Sequence, residues 1–192
     1  MSDAPSAFAE QIALRLKELR QLRGWSLDTA AKNTGVSKAM LGQIERGESS
    51  PTIRTLWKIA GGFESSFSSF LYDDAGEKEA KKGDALMSFP DDPAMQIQTL
   101  FPYSSTTRME VLAVTLLDKH EQQAAPHQPG VIEHVLVVEG TLELFFDGTW
   151  HVLPAGGKAR FHADQPHIYR AVGERAVFHN IICYQQHDSS AE

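Results

Sequence analysis

Residues 35–47 read GVSKAMLGQIERG, and this stretch predicts a short helix with both ends marked. Ser37 is a good helix N-cap, and Gly47 is the residue type that most often ends a helix. Leu41 and Ile44 recur at the three-residue spacing that places both on one buried face. Three side chains are left for the opposite face: Lys38, Ala39 and Gln43. A short helix that presents such a face is typical of a helix that enters a DNA groove, so nucleic-acid recognition is the first functional hypothesis.

Working outward from this stretch, residues 1–72 predict an all-α domain of five short helices. Phe8, Ile12, Leu16 and Leu19 share one face of the first helix, which is expected to end at Gly24. Ser26 caps a second helix over 27–33, and Gly35 supplies the left-handed turn that leads into the third. Helices four and five are predicted at 52–60 and 67–71.

The chain changes character after residue 72. Residues 73–93 are rich in acidic, basic, Gly and Pro residues and are predicted to form a linker. Residues 94–192 then alternate short Val-, Leu-, Phe- and Tyr-rich runs with turn signals, which predicts an all-β sandwich or small barrel. The predicted strands are 95–101, 109–117, 133–138, 142–146, 150–153, 168–172 and 176–184. The expected fold class is therefore α+β, with one all-α domain and one all-β domain.

The charge is divided unevenly along the chain. The net charge is -7, but residues 1–72 contain nine Lys/Arg and seven Asp/Glu, whereas residues 73–192 contain nine and eighteen. The basic surplus thus falls in the half that contains the predicted recognition helix, and phosphate binding responds to local charge.

Composition excludes several classes of protein. No apolar run approaches the ~20 residues that span a bilayer, and the first residues lack the pattern of a secretion signal, so we expect a cytoplasmic protein with no membrane partner. The single cysteine, Cys183, excludes an intramolecular disulfide and is expected to have a packing role.

Residues 12–70 resemble the lambda/434 repressor type of helix-turn-helix, the XRE family. This resemblance implies that the partner is double-stranded operator DNA. It implies three base-reading residues, namely Lys38, Ala39 and Gln43, whose side chains suit guanine, thymine and adenine, respectively. It also implies three phosphate contacts, namely Ser37, Arg46 and Arg54. Arg20 and Glu45 match an ion pair that joins the first helix to the end of the recognition helix in this family.

Residues 99–184 resemble a cupin, which implies a jelly-roll barrel. His127, Glu133, Gly140, Gly156 and His167 fall at the spacings of the two cupin motifs. Metal-binding cupins place a second histidine where this chain has Pro129, so the resemblance leaves a candidate metal set of three: His127, Glu133 and His167. Two histidines and one carboxylate with open positions suit a divalent metal such as Zn, Fe or Ni. A barrel without metal is the alternative.

Three further residues are candidates for effector binding: Arg160, Tyr103 and Tyr169. A barrel that senses an anionic metabolite needs a fixed donor, although ordinary strand packing explains the two tyrosines almost as well. The whole chain resembles XRE regulators with a C-terminal cupin sensor, and residues 24–27, 38–51, 56–60, 126–127 and 130–135 look most like the sulfur-utilisation regulator subgroup. The resemblance implies a homodimer that is not an enzyme and whose effector is a sulfur-containing amino acid such as methionine or cysteine.

Two other functions are left open. A mononuclear-iron cupin epoxidase acting on a hydroxyphosphonate has a similar two-domain build, and His127, Glu133 and His167 would then form a facial triad for oxygenase or epoxidase chemistry on a small organic acid. Pro129 counts against this enzyme. The third hypothesis is a dimeric scaffold with an empty barrel.

Overall fold

The computed structural model describes residues 7–71, 87–89 and 92–185. The chain divides into two compact units, Met1–Ala75 and Gly76–Glu192, and each is described by itself. Residues 72–86 and 90–91, which make up most of the predicted linker, lie outside the described residues. None of the described helices is long and apolar enough to cross a membrane.

The first unit consists of four α-helices and one turn of 3-10 helix. They are α1 (Ala7–Leu22), α2 (Leu27–Thr34), α3 (Lys38–Glu45), α4 (Ile53–Gly62) and the 3-10 turn Ser68–Phe70. The predicted fifth helix at 67–71 is therefore wrong. Ser69 donates its backbone N–H to Ser66 Oγ and its hydroxyl to the Ser66 carbonyl, and such local bonds compete with helix formation. Phe67 and Phe70 are nevertheless fully buried and belong to the core, as expected of apolar side chains.

The predicted helix ends around the recognition helix are confirmed. Ser26 Oγ and Ser37 Oγ accept backbone N–H bonds at the starts of α2 and α3. Gly35 has φ 65° and Gly47 has φ 68°, the left-handed conformation that favours glycine. The sequence thus fixes both where α3 begins and how the chain leaves it.

Helix α4 packs closely on α2, the helix that precedes α3. A Cβ built on Gly62 would lie 2.5 Å from Thr34 Cα, so only glycine permits this approach. The largest fully buried side chains of the unit come from α1, α3, α4 and the segment that follows α4: Ile12, Leu16, Leu41, Ile44, Ile53, Leu56, Ile59, Phe63, Phe67 and Phe70.

The second unit is an antiparallel β domain with a cupin-like fold. Its strands are β1 (Met87–Phe89), β2 (Asp92–Ser104), β3 (Met109–Leu117), β4 (Glu121–Ala124), β5 (Ile132–Phe146), β6 (Thr149–Pro154), β7 (Lys158–His162) and β8 (His167–Cys183). Their order is β1-β2-β3-β8-β5-β6, with β4 also paired to β8 and β7 to β5. The two longest strands, β5 and β8, therefore pair with three neighbouring strands each, including one another.

Several predicted strand boundaries are wrong. Segments 133–138 and 142–146 belong to one strand, β5, and segments 168–172 and 176–184 fall largely in β8. Gly140 adopts φ 74° at the predicted break, and the β5–β8 pairing continues past it after register shifts. Strand β1 lies inside the predicted linker. Strands β4 and β7 were not predicted, since each buries only one side chain within its bounds, Gln122 or Phe161.

Strand register positions the interior of this unit. Glu133 on β5 is paired with Ile182 on β8 and with Phe161 on β7, while Glu110 on β3 is paired with the same Ile182. Paired residues of an antiparallel sheet project to the same face. The two buried glutamates therefore lie on one interior face, with Ile182 between them.

Candidate functional site

The predicted DNA-contacting residues lie at the surface of the helical unit. Those of α3 and its flanks are exposed, as is Arg54 in the first turn of α4; the full set is Ser37, Lys38, Ala39, Gln43, Arg46 and Arg54. Leu41 and Ile44 are buried on the opposite face of α3. The geometry is that of a groove-reading helix, and the individual base and phosphate contacts stay predictions.

Two of the cations on this surface are paired within the chain. Lys38 Nζ lies 2.7 Å from Asp28 Oδ2. Arg46 donates from Nε and Nη2 to the two carboxylate oxygens of Glu48, at 2.7 and 2.6 Å, and this hydrogen bonding raises the pKa of Arg46 and lowers that of Glu48. Exposed pairs are weak, so a DNA phosphate is able to replace either carboxylate.

A third ion pair ties the recognition helix to α1. Arg20 Nε and Nη2 donate to Glu45 Oε1 and Oε2 at 2.6 and 2.9 Å, and Nη1 donates to the Trp25 carbonyl at 2.9 Å. The side chains are only 18% and 8% exposed, and the hydrogen bond to Glu45 raises the pKa of Arg20. The family-implied pair is confirmed, and it fixes the last residue of α3 against α1.

The second unit contains the predicted His-Glu-His cluster. The ligand atoms of His127, Glu133 and His167 lie within 4.8 Å of one another. Glu133 Oε1 is 2.6 Å from His127 Nε2 and 3.6 Å from His167 Nε2. Glu133 and His167 are each 1% exposed, and His127 is 12% exposed. The cluster is thus inside the domain, with His127 at its more accessible side.

Neighbouring polar groups orient these three side chains. Tyr169 Oη and Asn180 Nδ2 both donate to Glu133 Oε2, which leaves Oε1 directed at the histidines. His167 Nδ1 donates to the Gln165 carbonyl at 2.8 Å, so its Nε2 is the atom available for a ligand. No hydrogen-bond partner for that buried Nε2 occurs in the described part of the chain. Such an arrangement is typical of a metal ligand held by its outer shell, and the residues fit a divalent cation.

The electrostatics agree with this fit. Burial alone would raise the pKa of Glu133, but the adjacent His127 and His167 imidazoles outweigh it and hold the pKa well below its usual range. Burial, followed by the negative charge of Glu133, raises the pKa of Tyr169 well above its usual value. Glu133 is therefore anionic, and Tyr169 is a neutral hydrogen-bond donor to it.

The three predicted effector residues lie in different surroundings. Tyr169 contacts the cluster through Glu133. Tyr103 packs edge-on against Tyr184, with ring centroids 5.4 Å apart. Arg160 is exposed on β7 and paired with His134, on the face opposite to Glu133. Only Tyr169 is brought to the cluster.

Sequence reasoning missed Asn180, which is 5% exposed and hydrogen bonds to Glu133. Alternation along β8 offered a signal, because positions 178, 180 and 182 are all buried and an amide between Phe178 and Ile182 requires a polar partner. Sequence reasoning also missed Glu110, which is fully buried and accepts a hydrogen bond from Tyr184 Oη.

Comparison with known proteins identifies the family. The helix-turn-helix family HTH_3 matches residues 16–70. The chain is 46% identical over 177 residues to the HTH-type transcriptional regulator SutR of Escherichia coli K12, covering 92% of this chain and 96% of SutR. An HTH_3 family transcriptional regulator from Vibrio cholerae is 54% identical, with a TM-score of 0.84 over 95% of this chain and all of the other.

A shorter match is the Cupin_2 domain of an XRE family transcriptional regulator from Enterobacter cloacae, which is 36% identical over 48% of this chain and 99% of that domain, with a TM-score of 0.47. Both full-length relatives above are named as transcriptional regulators, and neither supports the epoxidase alternative. The chain belongs to the XRE-type (HTH_3) helix-turn-helix transcriptional regulators with a cupin domain, the family that includes SutR.

Proposed function

We propose that this DNA-binding regulator acts as a homodimer on palindromic operator DNA and that its cupin domain senses a small metabolite. The observation that supports a sensor most directly is the buried cluster of His127, Glu133 and His167. In this cluster, Nε2 of His167 lacks a hydrogen-bond partner among the described residues. A buried polar atom left in this state indicates a ligand that completes the site.

For the DNA-binding unit, we propose that Lys38, Ala39 and Gln43 contact base edges and that Ser37, Arg46 and Arg54 contact phosphates. The support is the exposure of all six residues and the rigid attachment of α3 through Arg20 and Glu45. Selection of binding sites from random duplex DNA tests this. Gln43→Ala is expected to cost about 1–3 kcal/mol at one base position, while Arg46→Ala weakens all sequences alike. Failure to enrich any palindromic site would refute the dimeric operator proposal.

For the cupin domain, we propose that His127, Glu133 and His167 hold a divalent metal such as Zn, Fe or Ni. When bound, the metal supplies a Lewis-acidic centre able to anchor an oxygen or nitrogen of the effector. Elemental analysis of protein purified without a histidine tag tests the site. Full retention of metal in the His127→Ala, His167→Ala double variant would show that the metal binds elsewhere.

The proposed effector is a sulfur-containing amino acid such as methionine or cysteine, in keeping with the resemblance to the sulfur-utilisation regulators. Tyr169 would act through Glu133, and Arg160 and Tyr103 stay predicted contacts. Effector binding and operator binding must be coupled reciprocally: a tenfold change in one affinity requires a tenfold change in the other, about 1.4 kcal/mol. Calorimetric titrations with and without operator DNA measure this coupling, and equal affinities would refute a regulatory role for the ligand.

A further inference from the structure

The interior of the β domain is rich in acceptors and poor in cations. Its buried charged side chains among the described residues are Glu110, Glu133 and His167, and no Lys or Arg of the described β domain is buried. Arg160, the cation predicted to receive an anion, is exposed on the outer face of β7. An anionic group that enters this interior therefore meets no fixed guanidinium or ammonium from the described residues.

Asn180 contributes an acceptor that is not used within the described chain. Its Nδ2 donates to Glu133 Oε2 at 2.9 Å, and the ionised carboxylate only accepts, so the amide nitrogen must face Glu133. The amide oxygen, Oδ1, consequently points away from Glu133. It is buried and makes no hydrogen bond to any described residue. A buried acceptor left in this state destabilises the domain, and a bound donor would remove that cost.

Other atoms of the same interior share this property. His167 Nε2 is buried, lies 3.6 Å from Glu133 Oε1 and makes no hydrogen bond to any described residue. Thr99 Oγ1 is also buried without a partner among the described residues. Thr99 is paired with Leu112, and Leu112 with Asn180, so the two polar side chains lie on one face about 10 Å apart across two strand spacings.

The chemistry of these atoms specifies the ligand. Asn180 Oδ1 accepts but does not donate, and the Thr99 hydroxyl does either. A complementary ligand must present hydrogen-bond donors, and the nearby Glu133 carboxylate, which accepts from Tyr169 and Asn180, favours donors that are cationic. A metal ion satisfies the histidine nitrogen, but an amide oxygen that faces away from Glu133 requires a donor of its own.

We propose that Asn180 Oδ1 accepts a hydrogen bond from a primary ammonium group of the effector, so that the β domain selects amines over acids of the same shape that lack the amine. This inference rests on the proposed sensor function. It does not require that the effector contain sulfur. Asn180 thereby becomes a specificity-determining residue of the effector site.

The test uses the full-length protein and three pairs of probes, each an amino acid with its des-amino analogue: methionine, cysteine and norleucine, the last paired with hexanoate. Isothermal titration calorimetry is expected to show that the amino member of at least one pair binds at least about tenfold more tightly, since a site built around a hydrogen bond rejects the analogue that lacks it. Asn180→Leu, which removes the acceptor, is expected to reduce the preference to about twofold or less. Thr115→Val is the matched control, because Thr115 is buried on β3 but paired with Val177 on the opposite face.

The outcomes distinguish the role of Asn180 from the proposed sensor function and from the proposed sulfur-containing effector. Equal binding of amino and des-amino members overturns the inference while leaving a sensor in place, because water then satisfies Asn180. Preference in the norleucine pair alone supports the inference and removes sulfur from the proposed effector. If no amino acid binds at millimolar concentration, both the inference and the amino-acid effector fail. A preference that persists in Asn180→Leu overturns the assignment to Asn180, and Asn180→Ala replaces that variant if Asn180→Leu does not fold.

Discussion

The attachment of the recognition helix to α1 offers the most quantitative test of the helical unit. Glu45→Gln keeps the shape of the side chain but removes the charge that Arg20 binds through two hydrogen bonds of 2.6 and 2.9 Å. Breaking a fully buried pair costs about 3–5 kcal/mol, whereas an exposed pair is worth about 0–1 kcal/mol. With side chains 18% and 8% exposed, and with Arg20 still bonded to the Trp25 carbonyl, we expect a loss of about 2 kcal/mol. That corresponds to about 30-fold in the folding equilibrium.

Urea denaturation followed at the helical circular dichroism band measures this loss. All α-helices of the described chain lie in the first unit, so the helical signal reports on that unit. Glu18→Gln is the matched control, because the Arg15–Glu18 pair has a 3.4 Å contact and side chains 39% and 60% exposed. It is expected to change stability by less than about 0.5 kcal/mol. Equal stabilities of Glu45→Gln and Glu18→Gln would refute the view that the pair anchors α3.

Three further predictions concern single side chains. Glu48→Gln should free Arg46 from its competing carboxylate and raise the affinity for duplex DNA in low salt. The difference in affinity between this variant and the wild type should shrink as salt is added. Fluorescence anisotropy across a salt series measures both effects, and an unchanged affinity would contradict the prediction. Gly62→Ala should destabilise the helical unit by about 1–3 kcal/mol in thermal melts, because its Cβ would collide with α2. The Cβ of Gly61→Ala would meet nothing within 4 Å, so this control should be neutral or slightly stabilising. Similar effects of the two substitutions would reject the close packing of α4 on α2 as the reason for Gly62. Tyr169→Phe should weaken metal binding about 10–100-fold by removing a hydrogen bond to the carboxylate ligand, as measured by chelator competition, and unaltered affinity would show that this bond does not tune the site.

The helical half was largely predictable because its signals are local. Ser26, Gly35 and Ser37 act on the chain within a few residues, and each takes the conformation that its chemistry favours. The error at 67–71 arose because Phe67 and Phe70 are core residues in any conformation, so burial did not require an α-helix. Hydrogen bonds between Ser66 and Ser69 stabilise a different local backbone conformation, a 3-10 turn.

The β half was less predictable because pairing partners decide its boundaries. Gly140 indicated a break in the sequence, yet β8 pairs with β5 on both sides of it. The cupin spacings identified His127, Glu133 and His167, and these come together in the structure. Asn180 was missed since it lies 47 residues from the glutamate it contacts, and no short motif encodes that distance.

The topology of the β domain also orders events during synthesis of the chain. All the described core residues of the helical unit lie at or before residue 71, and domains generally fold from the N-terminus while translation continues. Strand β8, in contrast, is the last strand of the described residues, and it pairs with β3, β4 and β5. A chain that ends before His167 therefore retains the described core of the helical unit but leaves β3, β4 and β5 without their β8 partner.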